Sequence, residues 1–143
     1  MTDSATGLGN LTVGYNHLRS SDNDRTGTHN LILGDENNYA SYGGFVAGTD
    51  NTISGRYATV IGGSVNVASQ FGTSISGGSF NKATGVYASV LGGSFNEANG
   101  ASATVSGGTH NAARADVSSV SGGLNRVAPF IQNWAAGGLL QNN

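Results

Sequence analysis

A glycine that closes a short apolar run recurs at Gly14, Gly34, Gly48, Gly63, Gly78, Gly93, Gly108, Gly123 and Gly138. After one irregular gap the spacing is 14 and then 15, six times over. Helical solenoid units need roughly 30 residues or more, so a period this short excludes them. It suits one coil of a parallel β-solenoid holding two short strands, and the nine copies fill the chain nearly end to end. The reading is an all-β protein: a parallel β-solenoid of about nine 14–15-residue turns, a rod of roughly 40 Å at the ordinary strand spacing.

Within each copy every second side chain is expected to point inward. Three positions before the closing Gly lies an apolar column: Leu11, Leu31, Phe45, Val60, Ile75, Val90, Val105, Val120 and Ala135. Three positions after it lies an Asn column, Asn37, Asn51, Asn66, Asn81, Asn96 and Asn111, which Arg126 interrupts. Two positions further on stand Ile53, Ala68, Ala83, Ala98, Ala113 and Ala128. The residues between these last two columns (Thr52, Val67, Lys82, Glu97, Ala112) vary and are sometimes charged, so they are assigned to solvent. Stacked Val and Ile would form a narrow dry core, and stacked Asn amides could bond along their column. The Gly pairs are read as corners that need φ > 0 or leave no room for Cβ.

Composition fits this reading and removes others. The chain has 143 residues, 24 of them Gly, with 1 Pro, no Cys, 10% charged positions and a net charge of −2. Scarce Pro and the lack of a Gly-X-Y period rule out collagen. The low charge fails the signature of disorder, and 6 basic residues argue against nucleic acid as a partner. Without Cys there is no disulfide framework. No apolar stretch reaches the ~18 residues of a membrane span, and no membrane contact by this segment is expected. Residues 1–10 lack the charged and apolar regions of a signal peptide, so an exported native protein would make this chain a piece of it. We expect a single domain over 1–143, with repeats at about 11–138, an inserted loop at about 19–27 and a C-terminal cap or junction at about 129–143. Phe130, Ile131 and Trp134 are the candidates to cover the last rung.

One coil buries a Val-sized residue, an Ala, an Asn and Gly, which falls short of the ordering entropy of 15 residues at ~1–2 kcal/mol each. More apolar burial is expected from outward columns. One reads Ile32, Val46, Ile61, Ser76, Leu91, Ser106, Ser121 and Ala136; another, just before the Asn, reads Val65, Phe80, Phe95 and His110. Such stripes mark association surfaces, so Ile61, Val65, Phe80, Leu91 and Phe95 are the interface candidates. Phe80, Phe95, Tyr57 and Tyr87 recur at 15- or 30-residue spacing, giving ladders that serve packing or offer platforms to a ligand.

These units resemble the head repeats of YadA-like trimeric autotransporter adhesins, whose consensus runs roughly Ser-Val-Ala-Ile-Gly-x-x-Ala-x-Ala-x-Gly. Asn30-Leu31-Ile32-Leu33-Gly34 and Ser89-Val90-Leu91-Gly92-Gly93 occupy the first segment, Asn96 and Ala98 the Ala-x-Ala positions, and Gly100 lies near the closing Gly. Gly replaces the usual Ile in most turns, Asn replaces the first Ala, and turns are 15 residues instead of 14. The resemblance, covering about 11–138, implies a left-handed β-roll, a side-by-side homotrimer, and a non-enzymatic adhesin head on a cell-surface fibre. Its partner would be an extracellular protein or glycan of host matrix or another cell. The alternative is a structural or receptor-binding segment of a trimeric phage tail fibre or surface filament. The apolar heptads of the family's coiled-coil stalk do not occur in this sequence.

Little else suggests chemistry, and no cofactor is expected. Asp22, Asp24, Thr26 and Gly27 copy the opening of a calcium loop. The bidentate Glu that closes such a loop is missing, since its place falls on Leu33, and the segment also reads as a solvated polar loop. His17, His29 and His110 are too dispersed for a zinc site. No nucleophile and base are paired, and an ice-binding Ser/Thr file hinted at by Ser74/Ser76, Thr104/Ser106 and Ser119/Ser121 is broken by Ile61 and Leu91.

Overall fold

A computed structural model describes residues 9–137 and is an all-β parallel solenoid, with no helix among the described residues. Gly138, last of the glycine file, lies outside the described residues, as does the rest of the expected cap beyond 137. Nine strands form one sheet: Leu11–Val13, Leu31–Asp35, Phe45–Thr49, Thr59–Val60, Ser74–Ile75, Ser89–Val90, Thr104–Val105, Ser119–Val120 and Trp134–Ala135. Seven form the other: Asn38–Tyr39, Thr52–Ile53, Val67–Ala68, Lys82–Ala83, Glu97–Ala98, Ala112–Ala113 and Val127–Ala128. From Leu31–Asp35 onward the chain alternates between the sheets, and every pairing is parallel with the next coil. Seven complete two-strand turns result, where the glycine count gives nine; the first and last copies each contribute one strand. A third ladder of single bridges links Thr49, Ser64, Ser79, Ser94, Thr109 and Leu124 along the rod.

The core consists of files of like side chains. Ile32, Val46, Val60, Ile75, Val90, Val105 and Val120 are buried on the nine-stranded sheet; Tyr39, Ile53, Ala68, Ala83, Ala98, Ala113 and Ala128 are buried on the other. Asn37, Asn51, Asn66, Asn81, Asn96 and Asn111 are buried at the corner between them. The expected spine therefore holds from Val60 onward but needs correction in the early turns. Leu31 and Phe45 are not core residues, and Ile32 and Val46, expected outside, are fully buried. The cause is register: Val46 pairs with Val60, a step of 14, while each later step is 15. The fifteenth residue, Ile61 in its turn, is inserted between the core Val and the Gly pair and is exposed. Counting back from the closing Gly therefore lands one position early in the 14-residue turns.

A further buried file, which the sequence reading lacks, is Ala58, Thr73, Ala88, Ala103 and Ser118. Only small residues fit there, and the two hydroxyls are satisfied three residues back, Thr73 Oγ1 on the Gln70 carbonyl and Ser118 Oγ on the Ala115 carbonyl. In the first turns Asn10 and Asn30 hold this place, with Asn10 Oδ1 accepting the Asn30 N–H at 2.8 Å and Asn30 Oδ1 the Gly44 N–H at 2.7 Å.

The two glycines of a pair differ. At Gly78 φ is +83°, and a Cβ would lie 2.0 Å from the Gly93 carbonyl oxygen of the next coil. At Gly77 a Cβ would meet nothing within 4 Å. At this corner the second glycine is thus required by both backbone and space and the first by neither. In later coils the first glycine also has a positive φ, +151° at Gly107 and +134° at Gly122.

Candidate binding surface

The interface candidates lie outside the core, on two flanks. Ile61 and Leu91 are 53% and 54% exposed beside the nine-stranded sheet, with Ser76, Ser106 and Ser121 between and beyond them. Across the Gly corner, Val65 is half-buried while Phe80, Phe95 and His110 are exposed. Each of these four has φ of 56–57°, as do Asp50 and Asn125 within about a degree, so the file is a continuous left-handed corner. A left-handed residue throws its side chain off the strand alternation, which explains how aromatic rings stand clear of the core.

Once in file, the rings stack. Phe80 and Phe95 lie 4.8 Å apart at 5°, and Phe95 and His110 4.8 Å apart at 6°. The spacing matches the rise between coils. Because each face of Phe95 is covered by a neighbour, it cannot serve as a flat platform for a sugar ring; the stack presents its edges. Together with Val65, Val67, Lys82 and Glu97 the stack lines an open apolar groove of about 400 Å³. Lys82 Nζ and Glu97 Oε1 are 3.9 Å apart on adjacent strands, both substantially exposed.

Tyr57 and Tyr87 belong to a separate ladder on another corner, not to the Phe80–Phe95 file. Tyr42, Tyr57, Phe71 and Tyr87 run edge to face, with centroids 5.8, 5.5 and 5.3 Å apart. The His29 ring packs at the Tyr42 end, and Arg56 lies 5.6 Å from the Tyr42 ring centroid. Here Tyr and Gly alternate at the left-handed place: the Tyr87 ring lies where a Cβ on Gly72 would fall, at 2.7 Å. Its sequence signal was available, since Gly43 and Gly72 stand in file with Tyr57 and Tyr87, and Gly favours this conformation.

The inserted segment lies against the rod instead of protruding into solvent. Arg19 donates Nε to the Glu36 carbonyl at 2.7 Å, and through its other nitrogens to the Asn51 carbonyl and Thr52 Oγ1; it also pairs with Asp50 at 2.5 Å. Arg25 ties the segment together through the Asn16, His17 and Asn37 carbonyls. His17 Nδ1 lies 2.9 Å from Asp35 Oδ2, and the His17 N–H donates to Asp35 Oδ1 at 2.6 Å. The side-chain bond with His17, then the backbone N–H of the same residue, hold the Asp35 carboxyl below its ordinary value. Of the calcium candidates, Asp24 Oδ1 accepts the amide and hydroxyl of Thr26, an arrangement that closes a local turn. Asp22 is exposed with φ of 58°. Among the described residues no group of three or more His, Cys, Asp or Glu is placed to hold a metal.

The C-terminal aromatics do not fold over the last rung. Trp134 continues the nine-stranded sheet in register with Ser119, exposed, with Nε1 donating to Ser121 Oγ at 2.7 Å; Phe130 and Ile131 are also exposed.

The fold and surface together define a parallel β-solenoid of 15-residue turns with an Asn ladder inside and apolar files outside. No protein-family model matches the chain, and no curated protein matches it.

Proposed function

We propose that this chain is the head segment of a trimeric surface adhesin, a non-enzymatic rod that attaches a cell to extracellular protein or glycan. The observation that carries the reading is the exposed file beside the nine-stranded sheet, where Ile61 and Leu91 alternate with Ser76, Ser106 and Ser121 and no charge intervenes. Each Leu- or Ile-sized side chain removed from water contributes ~1.5–3 kcal/mol, and a narrow core of Val, Ala and Asn leaves that contribution to be made between chains. The resemblance to trimeric autotransporter heads supplies the number of chains, and the remaining flanks are free for a ligand.

Native mass spectrometry tests it: the expected species is three times the 14.3 kDa chain. Leu91→Glu is expected to abolish that species, and Glu97→Lys, on the other sheet, to preserve it. A single-chain species for the unmodified protein overturns the trimer. Binding of the intact chain to none of a panel of immobilised matrix proteins and glycans overturns the adhesive role.

A further inference from the structure

The groove beside the Phe80–Phe95–His110 stack carries a pattern that the trimer reading does not use. On the outward face of the seven-stranded sheet, consecutive coils present Thr52, Val67, Lys82, Glu97 and Val127 in strict parallel register, while Ala112, assigned to solvent from the sequence, is buried. The adjoining left-handed corner presents Asp50, Val65, Phe80, Phe95, His110 and Asn125. In their two central coils both files are self-complementary about a point midway between Lys82 and Glu97. A two-fold axis through that point, perpendicular to the rod, sets Lys82 opposite Glu97 of a second copy, and Glu97 opposite its Lys82. The same operation sets Phe80 opposite Phe95 and, further from the axis, Val65 opposite His110, Asp50 opposite Asn125 and Thr52 opposite Val127.

We infer that this groove is an antiparallel contact surface for a second copy of the same chain. A two-fold interface must be complementary to itself, and here the pairs next to the axis are oppositely charged (Lys82 with Glu97) and aromatic (Phe80 with Phe95), with no like charges opposed further out. Orientation is selected by charge. A parallel copy at the same height would bring Lys82 against Lys82 and Glu97 against Glu97, and like charges placed together suppress wrong pairings. The stack itself offers ring edges along its whole length, the geometry in which aromatic groups meet a partner's aromatic rings edge to face. Fibres pointing toward each other, as from facing surfaces, would join on this flank while leaving the Ile61–Leu91 flank untouched. The inference therefore stands apart from the trimer.

The test is sedimentation equilibrium of the intact chain, first unmodified, where the contact should join trimers into multiples of three chains. The chain is then measured carrying Leu91→Glu, which removes the other association, with circular dichroism confirming its strands, so that each can fail separately. A two-chain species is expected of this variant. Lys82→Glu alone, or Glu97→Lys alone, should weaken it by roughly tenfold or more, because each creates two like-charge contacts. The double variant Lys82→Glu with Glu97→Lys should restore it. An equimolar mixture of the two single variants should form a two-chain species from one of each. That rescue between chains cannot come from the intrachain Lys82–Glu97 pair, nor be mimicked by a folding defect. A single-chain species throughout, single variants that associate as the parent does, or a mixture that fails to recover overturns the antiparallel contact.

Discussion

The Asn81 side-chain oxygen accepts the backbone N–H of Asn96, one coil further along, at 3.0 Å. The Asn81 amide nitrogen donates both to the Gly77 carbonyl in its own coil, at 3.0 Å, and to the Gly93 carbonyl in the next, at 2.9 Å. The same three bonds recur at Asn51, Asn66, Asn96 and Asn111. The ladder is therefore not amide on amide, as stacking alone suggests. Each Asn clamps the Gly corner: it pairs an N–H and a carbonyl that have no backbone partner, adds a second donor to the next coil's Gly carbonyl, which also accepts a Ser or Thr N–H, and leaves none of its own buried polar atoms orphaned.

Asn81→Ala should consequently cost far more than the size of the side chain implies. It strands the Asn96 N–H and the Gly77 carbonyl, each at ~1–3 kcal/mol, while the Gly93 carbonyl keeps the Ser79 N–H, so a loss of about 2 kcal/mol or more is expected in denaturant unfolding. Asn81→Asp should fold no better at neutral pH, since a carboxylate has no donor for the two carbonyls and its charge would be buried. Arg126 illustrates the limit of the ladder: its N–H still bonds Asn111 Oδ1 at 2.8 Å, but its buried Nε finds no partner.

The two glycines of a corner should separate sharply. Gly78→Ala places a methyl on a carbonyl oxygen and forces an L-residue to φ of +83°, for a cost of about 2–5 kcal/mol. Gly77→Ala enters open space and should change stability by no more than about 1 kcal/mol. Comparing the two unfolding midpoints under identical conditions checks this, and equal losses would mean that the pair acts as one strained unit.

Repetition made the architecture legible in the sequence. Fifteen-residue spacing predicts the coil, and alternation predicts that Val60 through Val120, the Asn file and the Ala file face inward. What spacing does not reveal is where within a coil a residue is inserted. Ile61, Ser76 and Leu91 keep successive glycines 15 apart while lengthening the step from the core Val to its glycine, so counting back from the glycine places Ile32 and Val46 on the wrong side. Nor does alternation survive a left-handed corner. Phe80, Phe95 and Tyr87 point outward because of φ, and the clue lay in their file-mates Asp50, Asn125 and Gly72, residue types that accept that conformation readily. The His17–Asp35 contact bridges the inserted segment, and no local pattern announces a pairing 18 residues apart.

Val117 sits at φ of 56°, a costly conformation for a β-branched side chain, and it is 56% exposed. Little apolar burial is lost on replacing it. Val117→Asn should therefore raise stability, by about 0.5–1 kcal/mol, because Asn tolerates the left-handed region. Val117→Gly relieves the same strain but gives back ~0.5–1 kcal/mol in unfolded-chain entropy, so thermal unfolding should rank Asn first.

Acid should loosen the inserted segment at a point set by Asp35. Its carboxyl is held below the ordinary value of 3.8 by the His17 side chain first, then by the N–H groups of His17 and Glu36. A carboxyl whose folded pKa is depressed contributes fully above its unfolded value, and the contribution is lost as pH falls through the folded one. The His17 anchor should thus be intact at neutral and mildly acidic pH and released only below 3.8. The backbone amide of His17, which donates to Asp35 Oδ1, reports this directly in an NMR titration. Its shift should move with a midpoint below 3.8, while amides of the Val90 and Val105 strands stay fixed through the same range. Asp35→Asn should erase that acid-side movement and leave the rod assembled, since the coils beneath are held by Asn and backbone bonds that do not titrate. A midpoint above the ordinary carboxylate value would mean that His17 and Asp35 do not hold each other in solution.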